Sequence, residues 1–263
     1  MRNVTKLFNF YIKSSIHVGV AVYSLVQITK ITLNIRIDFN IDYFIFFGTI
    51  FGYNFLRYSS LKMDFFKHKL YLGITIVSFI SLFLMTYFFF QMENKFRLEF
   101  LKIGFLVLIY PFLRKYFFLK MFIVSFCITY ITVYIPIFSK NINLIDSWIL
   151  ISRRFLIVVC LLIPSEIVDV KLDSKTLFTL PQKIGIFKTK ILGYFLLLGF
   201  IVLEFFGLSL IVNISIGIIV AIFIFFSNEN RTKTYTNFWV ESIPILWLFL
   251  LLILRNLKFD IES

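Results

Sequence analysis

Glu166, Asp169 and Asp173 follow one another at i, i+3 and i+7. On a helix that spacing puts the three carboxylates on one stripe about a turn apart. There they could share a hard cation such as Mg²⁺ and leave coordination positions for phosphate oxygens. Lys171 and Lys175 stand beside them, so the competing reading is a solvated helix end whose acids pair with lysines. Three other segments carry polar residues beside apolar runs: Gly52-Tyr53-Asn54-Phe55-Leu56-Arg57-Tyr58, Tyr110-Pro111-Phe112-Leu113-Arg114-Lys115, and Thr179-Leu180-Pro181-Gln182-Lys183-Ile184-Gly185.

The elements that must position these groups are set by composition. The chain has 263 residues, of which 60% are hydrophobic and 16% charged, where a soluble domain carries roughly 45–50% hydrophobic residues. A water-soluble globular fold is excluded. Several apolar runs reach the about 17–25 residues that cross a bilayer core, so the chain is expected to be an all-α, polytopic transmembrane bundle forming one domain over residues 1–263.

The expected spans are Ile16 to Leu33, Tyr43 to Tyr58, Leu70 to Phe90, Phe100 to Leu113, Phe117 to Ile137, Leu144 to Ile163, Ile191 to Phe206, Leu208 to Phe226 and Phe238 to Leu254. That is about nine, with the fourth short enough to be tilted or partly re-entrant. With the N-terminus inside, 17 Lys and Arg fall in inside segments and eight outside. This places the N-terminus in the cytoplasm and the protein in a cell membrane, a bacterial inner membrane by expectation. The net charge of +13 therefore reads as topology and lipid headgroup contact, not nucleic-acid binding. Cys127 and Cys160 lie inside apolar runs and support neither a disulfide framework nor a thiolate metal site.

The ordered motifs resemble the UbiA superfamily of intramembrane prenyltransferases. The family's second aspartate motif, followed by L-P-x-x-x-G, is similar to Glu166, Asp169, Asp173, Leu180, Pro181 and Gly185. Its Tyr-Pro-x-x-Lys-Arg signature returns with the basic pair inverted, as Tyr110, Pro111, Arg114 and Lys115. The first aspartate motif departs from the pattern: Asn54 stands, while the acids are replaced by Phe55, Tyr58 and Lys62.

The resemblance implies transfer of an isoprenyl group from an isoprenyl diphosphate to a lipophilic acceptor, aromatic rings included, with Mg²⁺ as cofactor. Glu166, Asp169 and Asp173 would bind the metal, the two aspartates acting in catalysis. Asn54, Arg57, Arg114, Lys115 and Lys183 would steady the diphosphate. Because Lys and Arg neutralise phosphate without metal, Arg57 and Lys62 could replace a lost cation at lower catalytic power, as a minority reading. A rival from another class is a catalytically inactive relative that binds an isoprenoid lipid or a protein partner, and the missing first motif favours it. A small transporter ranks third, since neither an internal repeat nor paired Gly/Pro breaks are visible.

Other polar residues read as structural. Arg153 and Arg154 lie within a span about 18 Å along the helix from the acidic stripe, and Glu204 is their expected partner. His17, Gln27 and Asn213 are expected to bond across helices. Glu241, Pro244, Trp239 and Trp247 read as an interfacial belt and a kink, with substrate contact the minority option.

Overall fold

The computed structural model describes residues 2–58, 69–113, 119–171, 179–206 and 210–262. Every element among the described residues is helical: α1 (Arg2–Lys13), α2 (Ile16–Leu33), α3 (Phe39–Tyr58), α4 (Lys69–Gln91), α5 (Asn94–Leu113), α6 (Leu119–Thr129), α7 (Ile135–Ser139), α8 (Leu144–Asp169), α9 (Leu180–Ile184), α10 (Ile186–Glu204), α11 (Leu210–Phe226) and α12 (Ile243–Glu262). Wider π turns join α6 to α7 at Tyr130–Tyr134 and lead into α12 at Tyr235–Val240.

Six helical stretches are long and apolar enough to cross a membrane: Ile16–Leu33, Leu70–Gln91, Leu119–Ser139, Ser147–Asp169, Ile186–Glu204 and Tyr235–Arg255. Leu210–Phe226 is a shorter apolar helix. Large apolar side chains cover the outside, among them Phe79, Phe83, Phe195 and Ile211. Water would not tolerate so continuous an apolar surface, whereas lipid does. A helical membrane bundle is the architecture these surfaces fit.

Helix termini meet at two ends. At the motif end, His17 in the first turn of α2 bonds Phe238 and Ser242, and Lys120 at the start of α6 pairs with Glu166 near the end of α8. At the far end, Lys30 late in α2 pairs with Asp42 early in α3. α2 contributes to both apolar cores. One forms with α8, α10, α11 and α12 around Leu25, Ile163, Phe200, Ile216 and Trp247; the other forms with α3, α5 and α7 around Val22, Ile41, Phe100 and Ile135. Gly19 lets α3 approach α2 closely, since a Cβ there would stand 2.8 Å from Ile50 Cγ1.

Several expected boundaries move, each for a physical reason. Arg2–Lys13 is a separate helix ahead of the first span, with Val4 and Leu7 exposed beside Lys6, which suits an interfacial position. α5 begins at Asn94, six residues before the expected start, because Glu99 is satisfied by Lys102 at 2.7 Å and by the Tyr130 hydroxyl. α8 runs through Pro164 to Asp169, although the apolar run was expected to end at Ile163. α3 likewise takes in Asp42, whose Oδ2 receives Lys30 Nζ at 2.5 Å and Gln27 Nε2 at 3.3 Å.

Trp247 is not interfacial. It is 4% exposed, in the core, and its Nε1 donates to Asn213 Oδ1 at 2.9 Å. Trp239 is exposed, as an aromatic facing lipid or the interface would be.

Candidate functional site at the motif end

The acidic stripe starts on the last turns of α8. Glu166 is buried, and its Oε1 lies 2.7 Å from Lys120 Nζ on α6. One turn on, Asp169 closes the helix, and Lys233 Nζ stands 3.4 Å from its Oδ1. That contact is an ion pair without hydrogen-bond geometry, so Asp169 Oδ1 has no hydrogen-bond partner. Beyond it, Lys171 Nζ bonds Asn230 Oδ1 at 2.7 Å and pairs with Glu229 at 2.9 Å. The loop after α11 therefore docks on the end of α8 through two lysine–carboxylate contacts of opposite sense.

The chain after the stripe returns through a sharply specified turn. Thr179 N–H donates to Gln182 Oε1 at 3.1 Å, Gln182 Nε2 donates to the Val170 carbonyl at 3.3 Å, and Pro181 opens the short helix α9. Pro suits a first turn because its missing N–H would be unpaired there anyway. Gly185 separates α9 from α10 with φ of 84°, a left-handed backbone that side chains with a Cβ disfavour. The space around it is open, so backbone strain alone should govern substitution. Gly185→Ala is expected to lose about 1–2 kcal/mol in denaturant unfolding of the purified protein, while Thr189→Ser at the next turn should be near neutral.

From the other side, α3 presents Tyr53 and Arg57 one turn apart, with the guanidinium 5.4 Å from the Tyr53 ring centroid. Glu241, which stands just after the π turn, lies beside the Tyr53 phenol, and Tyr110 of α5 and Asp169 are within electrostatic reach of the same group. The Arg57 guanidinium lies beside the Tyr58 hydroxyl, which donates to the Lys13 carbonyl at 2.7 Å. Glu241 is thus turned inward toward Arg57 and Tyr53 rather than forming part of an interfacial belt. Sequence reasoning had placed it apart because nothing in its local spacing links it to α3.

Asn54 is 2% exposed and fully engaged. Its Oδ1 accepts from Ser15 Oγ at 2.7 Å, and its Nδ2 donates to the Ser14 carbonyl and to Ser78 Oγ, each at 2.9 Å. Ser15 has φ of 59°, so Asn54 holds a strained α1–α2 turn against α3 and α4. Nearby, burial raises the Tyr11 hydroxyl above the ordinary phenol range, and that protonated hydroxyl donates to His17 Nδ1 at 3.0 Å. His17 Nε2 accordingly donates to the Phe238 carbonyl at 3.1 Å. His17 therefore bridges α1, α2 and the π turn.

The expected site residues divide accordingly. Glu166, Asp169, Arg57 and Tyr110 come to one end, joined by Lys120, Lys233, Glu241 and Tyr53, which the motifs had not supplied. Lys183 lies on α9, exposed at the surface. Asp173, Arg114, Lys115 and Lys62 lie outside the described residues. Among the described residues no three His, Cys, Asp or Glu side chains could hold a metal ion together. The described carboxylates thus do not fit a closed cage. Asp169, whose Oδ1 faces Lys233 without a hydrogen bond, fits only the mode in which one or two carboxylates and substrate phosphates hold Mg²⁺.

The chain matches no protein-family model, no curated protein and no solved structure. The functional reading therefore rests on the residues themselves.

Proposed function

We propose that the chain is a UbiA-like integral membrane prenyltransferase, moving an isoprenyl group from an isoprenyl diphosphate to a lipophilic acceptor. The observation that carries this reading is the convergence of Arg57, Lys120 and Lys233 with Asp169, Tyr53 and Tyr110 at one end of an apolar bundle. Cations at that position suit a diphosphate, and the apolar helices behind them suit its hydrocarbon tail. In this reading α2, α3, α4, α5, α6 with α7, α8, α10, α11 and α12 make nine crossings, the motif end faces the cytoplasm, and the membrane is a bacterial inner membrane. The 17 to eight distribution of Lys and Arg supports that orientation.

In the proposed reaction Arg57 and the lysines bind the diphosphate oxygens and stabilise the charge that grows there as the allylic C–O bond breaks. In this reading the Tyr53 and Tyr110 rings would attract the developing carbocation through their faces. The acceptor nucleophile then closes a new C–C or C–O bond and releases its proton. Bound Mg²⁺ would add charge withdrawal from the diphosphate, with Asp169 the described residue best suited to hold it.

The test is to incubate the purified protein with isoprenyl diphosphates and a membrane lipid extract, with and without Mg²⁺, while measuring diphosphate binding in parallel. Wild type should form prenylated product in a Mg²⁺-dependent way. Asp169→Asn should lose the coupling between metal and diphosphate. Arg57→Ala should weaken diphosphate binding about 10–100-fold, the equivalent of one charged hydrogen bond. Absence of diphosphate binding would overturn the reading.

A second reading has its own observation. Glu166 pairs with Lys120 and Asp169 contacts Lys233, so the acids are already engaged by lysines, as in a non-catalytic protein that binds an isoprenoid lipid. Saturable diphosphate binding, indifferent to Mg²⁺ and without product, would select it.

The orientation has a separate check. Cysteines introduced at Lys171 and Asn141, in a Cys127→Ser, Cys160→Ala background, should be labelled from the cytoplasmic and outer sides respectively by a membrane-impermeant reagent. The reverse pattern would invert the topology.

A further inference from the structure

The far half of the bundle holds a second polar cluster that the proposed reaction does not use. Arg153 and Arg154 on α8 are 8% and 2% exposed, and Glu204 at the end of α10 is 1% exposed. Glu204 Oε2 accepts from Arg153 Nη1 at 2.8 Å and from Asn213 Nδ2 at 2.7 Å. Arg154 donates from Nη1 to the Leu25 carbonyl at 3.0 Å and from Nη2 to Thr29 Oγ1 at 3.1 Å, and its guanidinium lies 5.3 Å from the Trp247 ring centroid. Side chains from α2, α8, α10, α11 and α12 thus meet at one point, roughly 14 Å along α8 from its start.

The charges in this cluster do not balance. Two guanidiniums stay protonated under all ordinary conditions and face a single carboxylate, which leaves one positive charge over. A carbonyl, a hydroxyl and an aromatic face solvate that charge without neutralising it. Arg153 Nε is buried with no hydrogen-bond partner. A cavity of about 20 Å³ adjoins these groups, lined by Thr32, Arg153, Arg154, Glu204 and Trp247 among others. A volume of about 10–15 Å³ admits one water-sized particle, so this cavity suits a monatomic ion.

We propose that the cavity binds one small monovalent anion of chloride size, held by Arg153 and Arg154. The ion neutralises the surplus charge, takes the Arg153 Nε–H that the protein leaves unpaired, and ties five helices together below the membrane surface. Its chemistry is that of a buried counter-ion, so its occupancy should be read in stability rather than in transfer activity.

Thermal unfolding of the purified full-length protein in detergent, at constant ionic strength with chloride, bromide or gluconate as the variable anion, tests this. Chloride and bromide should raise Tm saturably, by about 3–6 °C for each tenfold increase above the half-saturating concentration, whereas gluconate is too large to enter and should not. Glu204→Gln leaves two cations without a carboxylate and should lower the half-saturating bromide concentration at least tenfold. Arg154→Gln leaves the neutral Arg153–Glu204 pair and should abolish the anion dependence. If that variant does not fold, Glu204→Gln decides. Equal Tm in chloride and gluconate for both wild type and Glu204→Gln would overturn the proposal.

Discussion

Glu204→Leu is expected to be among the most destabilising single substitutions in this protein, at about 3–5 kcal/mol. Glu204 is the only carboxylate facing Arg153 and Arg154 among the described residues that make the cluster, and it also accepts from Asn213. Removing it strands Arg153 and frees the Asn213 amide, both in a largely apolar interior. Trp247 would then hang on an Asn213 held at one side only. The double variant Arg153→Met, Glu204→Leu should recover part of the loss, because the paired charges leave together, while the Asn213 amide still lacks its acceptor and Arg154 its carboxylate. Unfolding of the purified variants measures both. A Glu204→Leu protein within about 0.5 kcal/mol of wild type would show that the contact carries no stability.

Asn54→Leu should lose about 2–4 kcal/mol. The side chain is close in volume, so the loss comes from hydrogen bonding: the Ser14 carbonyl and the Ser15 hydroxyl lose their buried partner, at about 1–3 kcal/mol for each group left unsatisfied. Ser78 is spared, since its hydroxyl also bonds the Ile74 carbonyl. The released Ser15, with its positive φ, should let the α1–α2 turn relax and shift the Lys13 carbonyl that receives Tyr58. The same variant separates two roles for Asn54. A positioning role predicts a stability loss with diphosphate affinity reduced only in proportion to unfolding. Direct contact with diphosphate predicts a large affinity loss in protein that remains folded.

These two positions also show how unevenly the sequence disclosed the structure. The pairing of the Arg153-Arg154 doublet with Glu204 was legible, because charges inside apolar runs are costly enough that only a few partners are available. Which arginine takes the acid was not. Arg153 does, while Arg154 turns to α2 and Trp247, and that division depends on how α8 is rotated against α2 and α10. The acidic stripe was likewise visible as a stripe, yet the lysines that engage it come from α6 and from the loop before the second π turn, with no local spacing to announce them.

Hydropathy alone determined that this chain is helical and built for a membrane, because lipid offers no partner to an open backbone group and only helices or closed barrels satisfy every one. It also located most helix boundaries where Gly, Pro and charge interrupt the apolar runs. Besides α10, which starts at Ile186 right after Gly185 and five residues ahead of the expected Ile191, the boundaries it missed, at Asp42, Glu99 and Pro164, are places where a tertiary partner or the surrounding bundle lets a helix continue through a residue that would stop it alone. Only the tertiary structure decided which face of each helix looks inward. In water an amphipathic stripe marks that face, but helices surrounded by lipid are apolar all round. The burial of Trp247, the inward turn of Glu241 and the fully occupied amide of Asn54 therefore followed from packing between helices far apart in the chain.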